Sequence, residues 1–540
     1  MKKEIHTRRA YGLGFCATLF LLQVVLLSAS TPVPDAARPG YDAIQAKNLA
    51  ALLKFIASDE LEGRNTGSRG LNIAAKFLET QYTLAGLTPV PGHDSMLQTF
   101  YVMESKIKET SKIFAKTRAN GQTDEHEFEL YHDFAILSLH AGSISEEWPV
   151  VFGGFGFKDT ATGYDDYNHL DAAGKVLLVL DSSPKLSTSP DLDPAVLRRK
   201  LRALRREKAK WAQEAGASAL IHINIQMTPE SMARLKPYLS RPRQRLADDP
   251  EAIPQAIVTA QVGNALLSGR GWTADSLLTT LAQNHAPVHL TLPGLSVRFD
   301  LESAATKKQT QNVVAYLAGD DPQLRDEVIV FGAHYDHIGM NADGEIYNGA
   351  DDDGSGTVAI LEIAHAFARN KFRPNRSLVF VSHAGEEKGL LGSQFYTQSP
   401  LAPIESTVAL LNIDMIGRND PGAVYIIGSN FLSKELHEIN EEANELVGLK
   451  LDYAYNDLND PNRFYYRSDH YNYAKHGVPV IFYFSGTHED YHKPTDTIEK
   501  IDFAKMEKVT KLVYLTGWKL ANLQHRLKKD GLLLEKETKH

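Results

Sequence analysis

Residues 327–387 contain, in order, EVIVFGAHYDH (327–337), YNGADDDGSG (347–356) and LVFVSHAGEE (378–387). The first is an apolar run that ends on His334 and Asp336. The second is a loop rich in acid and glycine that carries Asp351, Asp352 and Asp353. GTVAILEIAHAFARN (356–370) then has apolar residues at helical spacing. The third is another apolar run, ending on the adjacent acids Glu386 and Glu387. Metal-ligand side chains therefore cluster where two strands terminate, the place where open α/β sheets put their sites. Further strands are expected near Asn312, Thr407, Ala423 and Val478, with helices over 433–448 and 468–477. Alternating β and α elements with nearly continuous apolar strands predict a mixed, mainly parallel sheet covered by helices on both faces.

Upstream, residues 41–87 read as helical, with EGRNTGSRG (62–70) as a glycine-rich connection, and 96–103 alternates like a strand. Between 108 and 293 the character changes to short β-like runs broken by Gly, Pro and Asp, a separate β-rich unit without a catalytic constellation. A helical stretch at 195–217 lies within it; its Arg/Lys face is read as a solvated one. The tail after Leu527 is polar apart from Leu532 to Leu534 and is expected to be poorly ordered.

The 540 residues, 43% hydrophobic and 23% charged, have ordinary globular composition. Residues 1–30 read as a signal peptide: Lys2, Lys3, Arg8 and Arg9 precede an apolar core of about a dozen residues, then small residues. That core is short of the roughly 20 residues of a membrane span. Export to the periplasm or medium is expected, with no stable membrane span after cleavage. Cys16 is the single cysteine and lies in that segment, so thiolate metal sites and disulfides are excluded from the remainder. The net charge of −9 includes +3 from residues 1–30 (four Lys/Arg against one acid), leaving −12. That balance argues against a nucleic-acid partner, whose phosphates need a basic surface.

Any metal must be held by His, Asp and Glu. The strand at Thr407 ends at Asp414, and the strand at Val478 is followed by SGTHEDYHKPTDT, which contains His492. His334, Asp352, Glu387, Asp414 and His492 thus form a set of two imidazoles and three carboxylates, suited to Zn²⁺ or another divalent first-row ion. Five ligands exceed one tetrahedral site with an open position. Two ions sharing one carboxylate, with a hydroxide between them, account for the excess. Glu386 adjoins a ligand and is a candidate proton acceptor. Taken singly, each member has a plainer reading, as a strand-end hydrogen-bonding residue or a helix cap. It is their joint position at the ends of four strands that points to a metal centre. His337, His365, His383, His470, His476 and His488 are read as structural, with His337 and His383 the leading candidates to support the metal ligands.

GAHYDHIG, NGADDDGSGT, GEEKGLLGS, LNIDMIGR and SDHYNYAKHGVPVIFYFSG followed by DYHKPTDT resemble the co-catalytic di-zinc aminopeptidase family, over about residues 306–501. The middle region is similar to the protease-associated domain often inserted in such enzymes. The resemblance implies residues 31–107 and 294–527 as the two parts of a di-zinc peptidase domain, 108–293 as the insert and 528–540 as a tail. It implies two Zn²⁺ per chain: His334 and Asp414 on one, Glu387 and His492 on the other, and Asp352 bridging by the G-x-x-D-x-x-S-G spacing. It makes Glu386 the general base, Asp336 the acid that orients His334, and Tyr491 a donor to the oxyanion. A zinc-bridging hydroxide would attack the first peptide bond of a peptide substrate. Arg467 and Tyr466 are candidates to line the substrate pocket. Three alternatives remain at this level: a carboxypeptidase or dipeptidase using Arg467 as a carboxylate fork, a one-zinc glutaminyl cyclase, and a binding module, which would be expected to have lost ligands.

Overall fold

The computed structural model describes residues 32–119, 121–138, 142–189, 191–284 and 286–537. The signal-peptide reading of residues 1–30 lies outside them. Among the described residues no helix is long and apolar enough to cross a membrane.

The strand Val328–His334 is buried along its whole length and explains the architecture. Ile329, Phe331 and Ala333 enter one apolar cluster, while Val328 and Val330 enter another. Alternate side chains of a strand point to opposite faces, so both faces of this sheet are covered. The helices Ala46–Ile56, Arg69–Leu84, Gly356–Arg369 and Phe503–Asn522 supply the first cluster. Tyr396 and Tyr473, from the helices Leu391–Gln398 and His470–Lys475, contribute to the second.

The sheet has nine strands, in the order Arg243–Leu246, Leu97–Ile107, Ser303–Leu317, Ser377–His383, Val328–His334, Thr407–Ile413, Val480–Phe484, Ala423–Ile427 and Lys450–Asp452. The four strands from Ser377–His383 to Val480–Phe484 are mutually parallel. On one side the next three pairings are antiparallel. On the other, Ala423–Ile427 runs antiparallel to Val480–Phe484 and parallel to Lys450–Asp452. Parallel pairing is thus concentrated at the centre, where the carboxyl ends of four strands come together.

The insert has an eight-stranded sheet and an apolar core of its own. It is joined to the first sheet by two strand-to-strand passages. Leu97–Ile107 leads into Lys112–Ala119, and His289–Leu301 leads through Glu302 into Ser303–Leu317. The insert also lends Arg243–Leu246 to the edge of the nine-stranded sheet, pairing Arg243–Leu246 with Val102–Ser105. The expectation of a loose tail is not met by its first residues. Leu532 and Leu533 donate backbone hydrogen bonds to Asn430 and Phe431, and Leu533 packs on the second apolar cluster. Those leucines find a groove that polarity of the surrounding sequence did not reveal.

The segment 62–70 acts as a clamp on the loops after Val328–His334. Arg64 is fully buried and its guanidinium donates to four carbonyls: Tyr335 at 2.9 Å, Asn348 at 2.7 Å, Gly349 at 3.0 Å and Ile56. Its own carbonyl accepts from His337 N at 3.1 Å. Burial lowers its pKa to about 10, so it remains a cation at neutral pH. Arg64→Ala strands four buried carbonyls together, and a loss of about 4 kcal/mol is expected. Thermal unfolding of the variant checks this; a melting temperature close to that of the unaltered chain would contradict it.

Candidate metal centre

His334 closes its strand, in register with His383 on the neighbouring one. Asp414 follows Thr407–Ile413 directly, and Glu386 and Glu387 lie just beyond Ser377–His383. Asp352 comes from the loop that enters the Gly356–Arg369 helix, and His492 from the loop after Val480–Phe484. Five distant positions in the chain converge because four parallel strands end at one level.

Asp352 divides its two oxygens between two groups. Oδ1 lies 3.3 Å from His334 Nε2, which is itself 3.6 Å from Asp414 Oδ1. Oδ2 lies 3.1 Å from His492 Nε2, which is 3.2 Å from Glu387 Oε2. Two ligand atoms each about 2.05 Å from a tetrahedral zinc are about 3.3 Å apart. The observed separations fall around that value in both groups. Asp352 Oδ2 and Glu387 Oε1 are also buried without a geometrically sound hydrogen bond. The donor set therefore fits two zinc ions sharing Asp352.

The neighbouring acids have other tasks. Asp353 could pair with His334 and Asp414 by proximity alone, but its oxygens are committed to backbone amides. Oδ1 accepts from Gly356 at 2.8 Å and Met415 at 3.1 Å, and Oδ2 from His334 at 3.2 Å. Asp351 accepts from Gly417 N at 2.6 Å and faces His488 at 3.3 Å. Asp496 accepts from the amides of both Asp351 and Asp352, fixing the loop from below.

Electrostatics of the metal-free chain carry the same signature. Burial alone would discharge His492, yet Asp352 and Glu387 raise it to about 10. Burial would raise Glu387, but His337 and His492 bring it to about 2. Glu386 moves well upward, by burial first and then by Glu387, Asp414 and Asp469, with His334 opposing. A crowd of carboxylates with so little cationic compensation is a place for added positive charge.

Asp336 holds His334 differently from the expected carboxylate contact. His334 Nδ1 meets the backbone carbonyl of Asp336 at 3.1 Å, with the carboxylate at 3.7 Å. The carboxylate instead accepts from Thr66 Oγ1 at 2.9 Å and from Glu386 N at 3.1 Å. It thereby positions the candidate base. Asp352, Glu386 and Asp414 open onto a pocket whose other walls include Arg467 and Tyr491 and the apolar Met415, Phe464, Phe482 and Phe484. Tyr491 stacks on His492 at 3.8 Å, and Arg467 Nη2 approaches its hydroxyl at 3.5 Å. Tyr466 is not part of that lining; its ring carries the Arg463 guanidinium at 4.3 Å.

One supporting residue escaped the sequence reading. Ser468 donates to Asp414 Oδ2 at 2.7 Å while accepting from Asn412 Nδ2. Its position directly before Asp469 in SDH was a usable signal. His337, one of the two histidines expected to support the ligands, is fully buried with Nδ1 2.8 Å from Glu387 Oε1. Its ring lies against Gly349, where a Cβ would sit 2.5 Å from Cγ. Glu387 thus has His337 close beside one oxygen, outside hydrogen-bond geometry, and His492 beside the other. Loss of such an outer partner commonly costs about 10–100-fold in metal affinity. His337→Ala is expected to weaken the second ion by that amount, read by zinc competition with a chelator; unchanged affinity would count against the role.

Comparison with known proteins places this geometry. The model of peptidase family M28 matches residues 312–516, and the PA domain model matches 147–266. Residues 312–516 are a peptidase family M28 domain. The M28 domain contains every strand end described above, and the PA domain lies within the insert. A probable leucine aminopeptidase of Trichophyton verrucosum is 34% identical over 210 residues, 37% of this chain and 56% of that protein. Leupeptin-inactivating enzyme 1 of Streptomyces exfoliatus is 32% identical over 190 residues, 35% of this chain and 38% of that protein. The chain thus spans about half the length, or less, of these curated relatives. The solved aminopeptidase from Aneurinibacillus sp. strain AM-1 has a TM-score of 0.52 at 18% identity. It covers 92% of this chain and 98% of its own, a likeness of fold.

Proposed function

We propose that the chain is an exported zinc aminopeptidase that removes apolar residues from the N-termini of peptides. The observation that carries this is the division of Asp352 between the His334/Asp414 and His492/Glu387 groups, with Glu386 beside it. His334, Asp414 and Asp352 would hold one ion, and His492, Glu387 and Asp352 the other. Bound there, zinc supplies Lewis-acid polarisation of the scissile carbonyl and acidification of water.

The chain's own residues do the rest. Glu386 takes a proton from the attacking water and returns it to the leaving amine, a role its place on the pocket beside Asp352 and Asp414 permits. Tyr491 donates a hydrogen bond from its hydroxyl to the carbonyl oxygen. Burial raises its pKa, so it remains a donor at any physiological pH. Met415, Phe464, Phe482 and Phe484 exclude water and offer an apolar seat to the first side chain. The names of the leucine aminopeptidase relatives support the same preference. Export rests on the signal-like residues 1–30.

Arg467 in the pocket wall favours one second reading, a carboxypeptidase. A panel of aminoacyl p-nitroanilides and of N-blocked and C-blocked peptides separates the two. Cleavage of free-N-terminus substrates with Leu or Phe first, lost on chelation and restored by zinc, is expected. Cleavage of N-blocked peptides only, or activity indifferent to chelation, would overturn the proposal.

A further inference from the structure

His337 stands at the metal centre without a place in the set of five ligands. Its ring is fully buried, and neither Nδ1 nor Nε2 makes a hydrogen bond. Nearly all buried polar groups find a partner, so an imidazole in that state calls for one. The position of the ring is built by two other parts of the chain. The amide of His337 donates to the Arg64 carbonyl at 3.1 Å, and Asn65 pairs with His337 as an isolated β-bridge. The ring itself lies against Gly349, at φ +57°, where any Cβ would collide with it.

What the ring faces is the second group of ligands. Nδ1 lies 2.8 Å from Glu387 Oε1 and 3.8 Å from Asp352 Oδ2. These are the carboxylates that also face His492 Nε2, Glu387 at 3.2 Å and Asp352 at 3.1 Å. Donor atoms of His337, Asp352 and Glu387 all fall within 4.8 Å of one another, a spacing suited to one ion. The rings of His337 and His492 have centroids 5.9 Å apart and planes at 70°. Two imidazoles on one tetrahedral zinc have centroids about 5–6 Å apart. His337 Nδ1, Asp352 Oδ2 and Glu387 Oε1 are each buried without a hydrogen bond. One shared cation would satisfy all three atoms.

We propose that His337 is a sixth protein ligand of the centre, binding the second ion through Nδ1 beside His492, Glu387 and Asp352. This rests on the two-ion reading and departs from the pattern of one histidine per ion. Four protein donors complete a tetrahedral site, whereas the three of the first group, His334, Asp414 and Asp352, leave a position open. The two halves then differ in kind. The second is imidazole-rich and holds zinc firmly; the first is oxygen-rich and exchanges more readily. Glu386 borders the exchangeable half, 3.9 Å from His334 Nε2. The segment 62–70 thereby serves the metal centre, by holding the loop that carries His337.

The test uses the full chain labelled with 15N-histidine and loaded with 113Cd in place of zinc. Scalar coupling to the metal appears only at a ring nitrogen bonded to it. Three coupled imidazoles are expected, one of them through Nδ1. In His337→Ala the Nδ1 coupling should vanish and the other two remain, with affinity for the second ion lowered by about 100-fold in chelator competition. In the unaltered zinc-loaded chain, stepwise chelation should release one ion roughly tenfold more readily than the other. Two coupled imidazoles in a chain that binds two ions would leave His337 an outer neighbour and overturn the inference alone. That readout is made on the unaltered chain, so it stands whether or not His337→Ala folds. Fewer than two ions bound per chain would overturn the two-ion reading, and the inference with it.

Discussion

Glu386→Gln is expected to lower kcat by roughly 10²–10⁴-fold, the usual contribution of a positioned proton acceptor, with the zinc content of the purified protein unchanged. The separation of the two readouts follows from geometry. Glu386 Oε2 stands 3.9 Å from His334 Nε2, outside the 3.1–3.6 Å contacts that define the two ligand groups. Its backbone is held independently through its amide on Asp336 Oδ1. Gln preserves the shape and that amide contact but cannot accept a proton from water. KM should move little, because the apolar walls of the pocket are untouched. Steady-state kinetics with elemental analysis of metal checks this, and a kcat within tenfold of the unaltered enzyme would remove Glu386 from the base position.

Asp352→Ala should lose both ions together and abolish turnover, whereas Asp351→Asn should retain both. Asp352 is the one carboxylate with an oxygen turned to each histidine, so its removal takes a ligand from both ions at once. Asp351 is engaged with Gly417 N and His488, and an Asn carbonyl can still accept from that amide. Zinc per chain after dialysis is the measurement. One ion retained by Asp352→Ala would show that the sites do not share that residue. A large metal loss in Asp351→Asn would move the bridge to its neighbour.

Most of the M28 domain was legible because strand ends are local events. Apolar runs stopping on His334, Asp414 and the Glu386–Glu387 pair mark both the element and the site in one reading. Choosing among Asp351, Asp352 and Asp353 was beyond periodicity, since all three lie in one loop. Their difference lies in which backbone amides of residues 334, 356, 415 and 417 claim each carboxylate. The role of Arg64, and the ligand that His337 supports, were hidden for the same reason. Arg64 is tied to Asn348 and Gly349 across more than 280 residues, and His337 to Glu387 across a helix and a strand. The basic face of the insert helix was legible as a solvated one, and Arg198, Lys200, Arg202, Arg206 and Lys210 are all exposed.

The way the insert is attached has a consequence for how a substrate enters. Two strand-to-strand passages, through residues 108–111 and through Glu302, and the borrowed Arg243–Leu246 edge strand tie the insert to the nine-stranded sheet at three places. A swinging lid needs a flexible joint of few residues; here the short breaks at 108–111 and Glu302 are bonded to each other, Lys108 N to the Glu302 carbonyl, and lie between hydrogen-bonded ladders. Opening the mouth by rotating the insert would mean unzipping Val102–Ser105 from Arg243–Leu246. Turning the insert away from the nine-stranded sheet would therefore cost the backbone pairs of that borrowed edge.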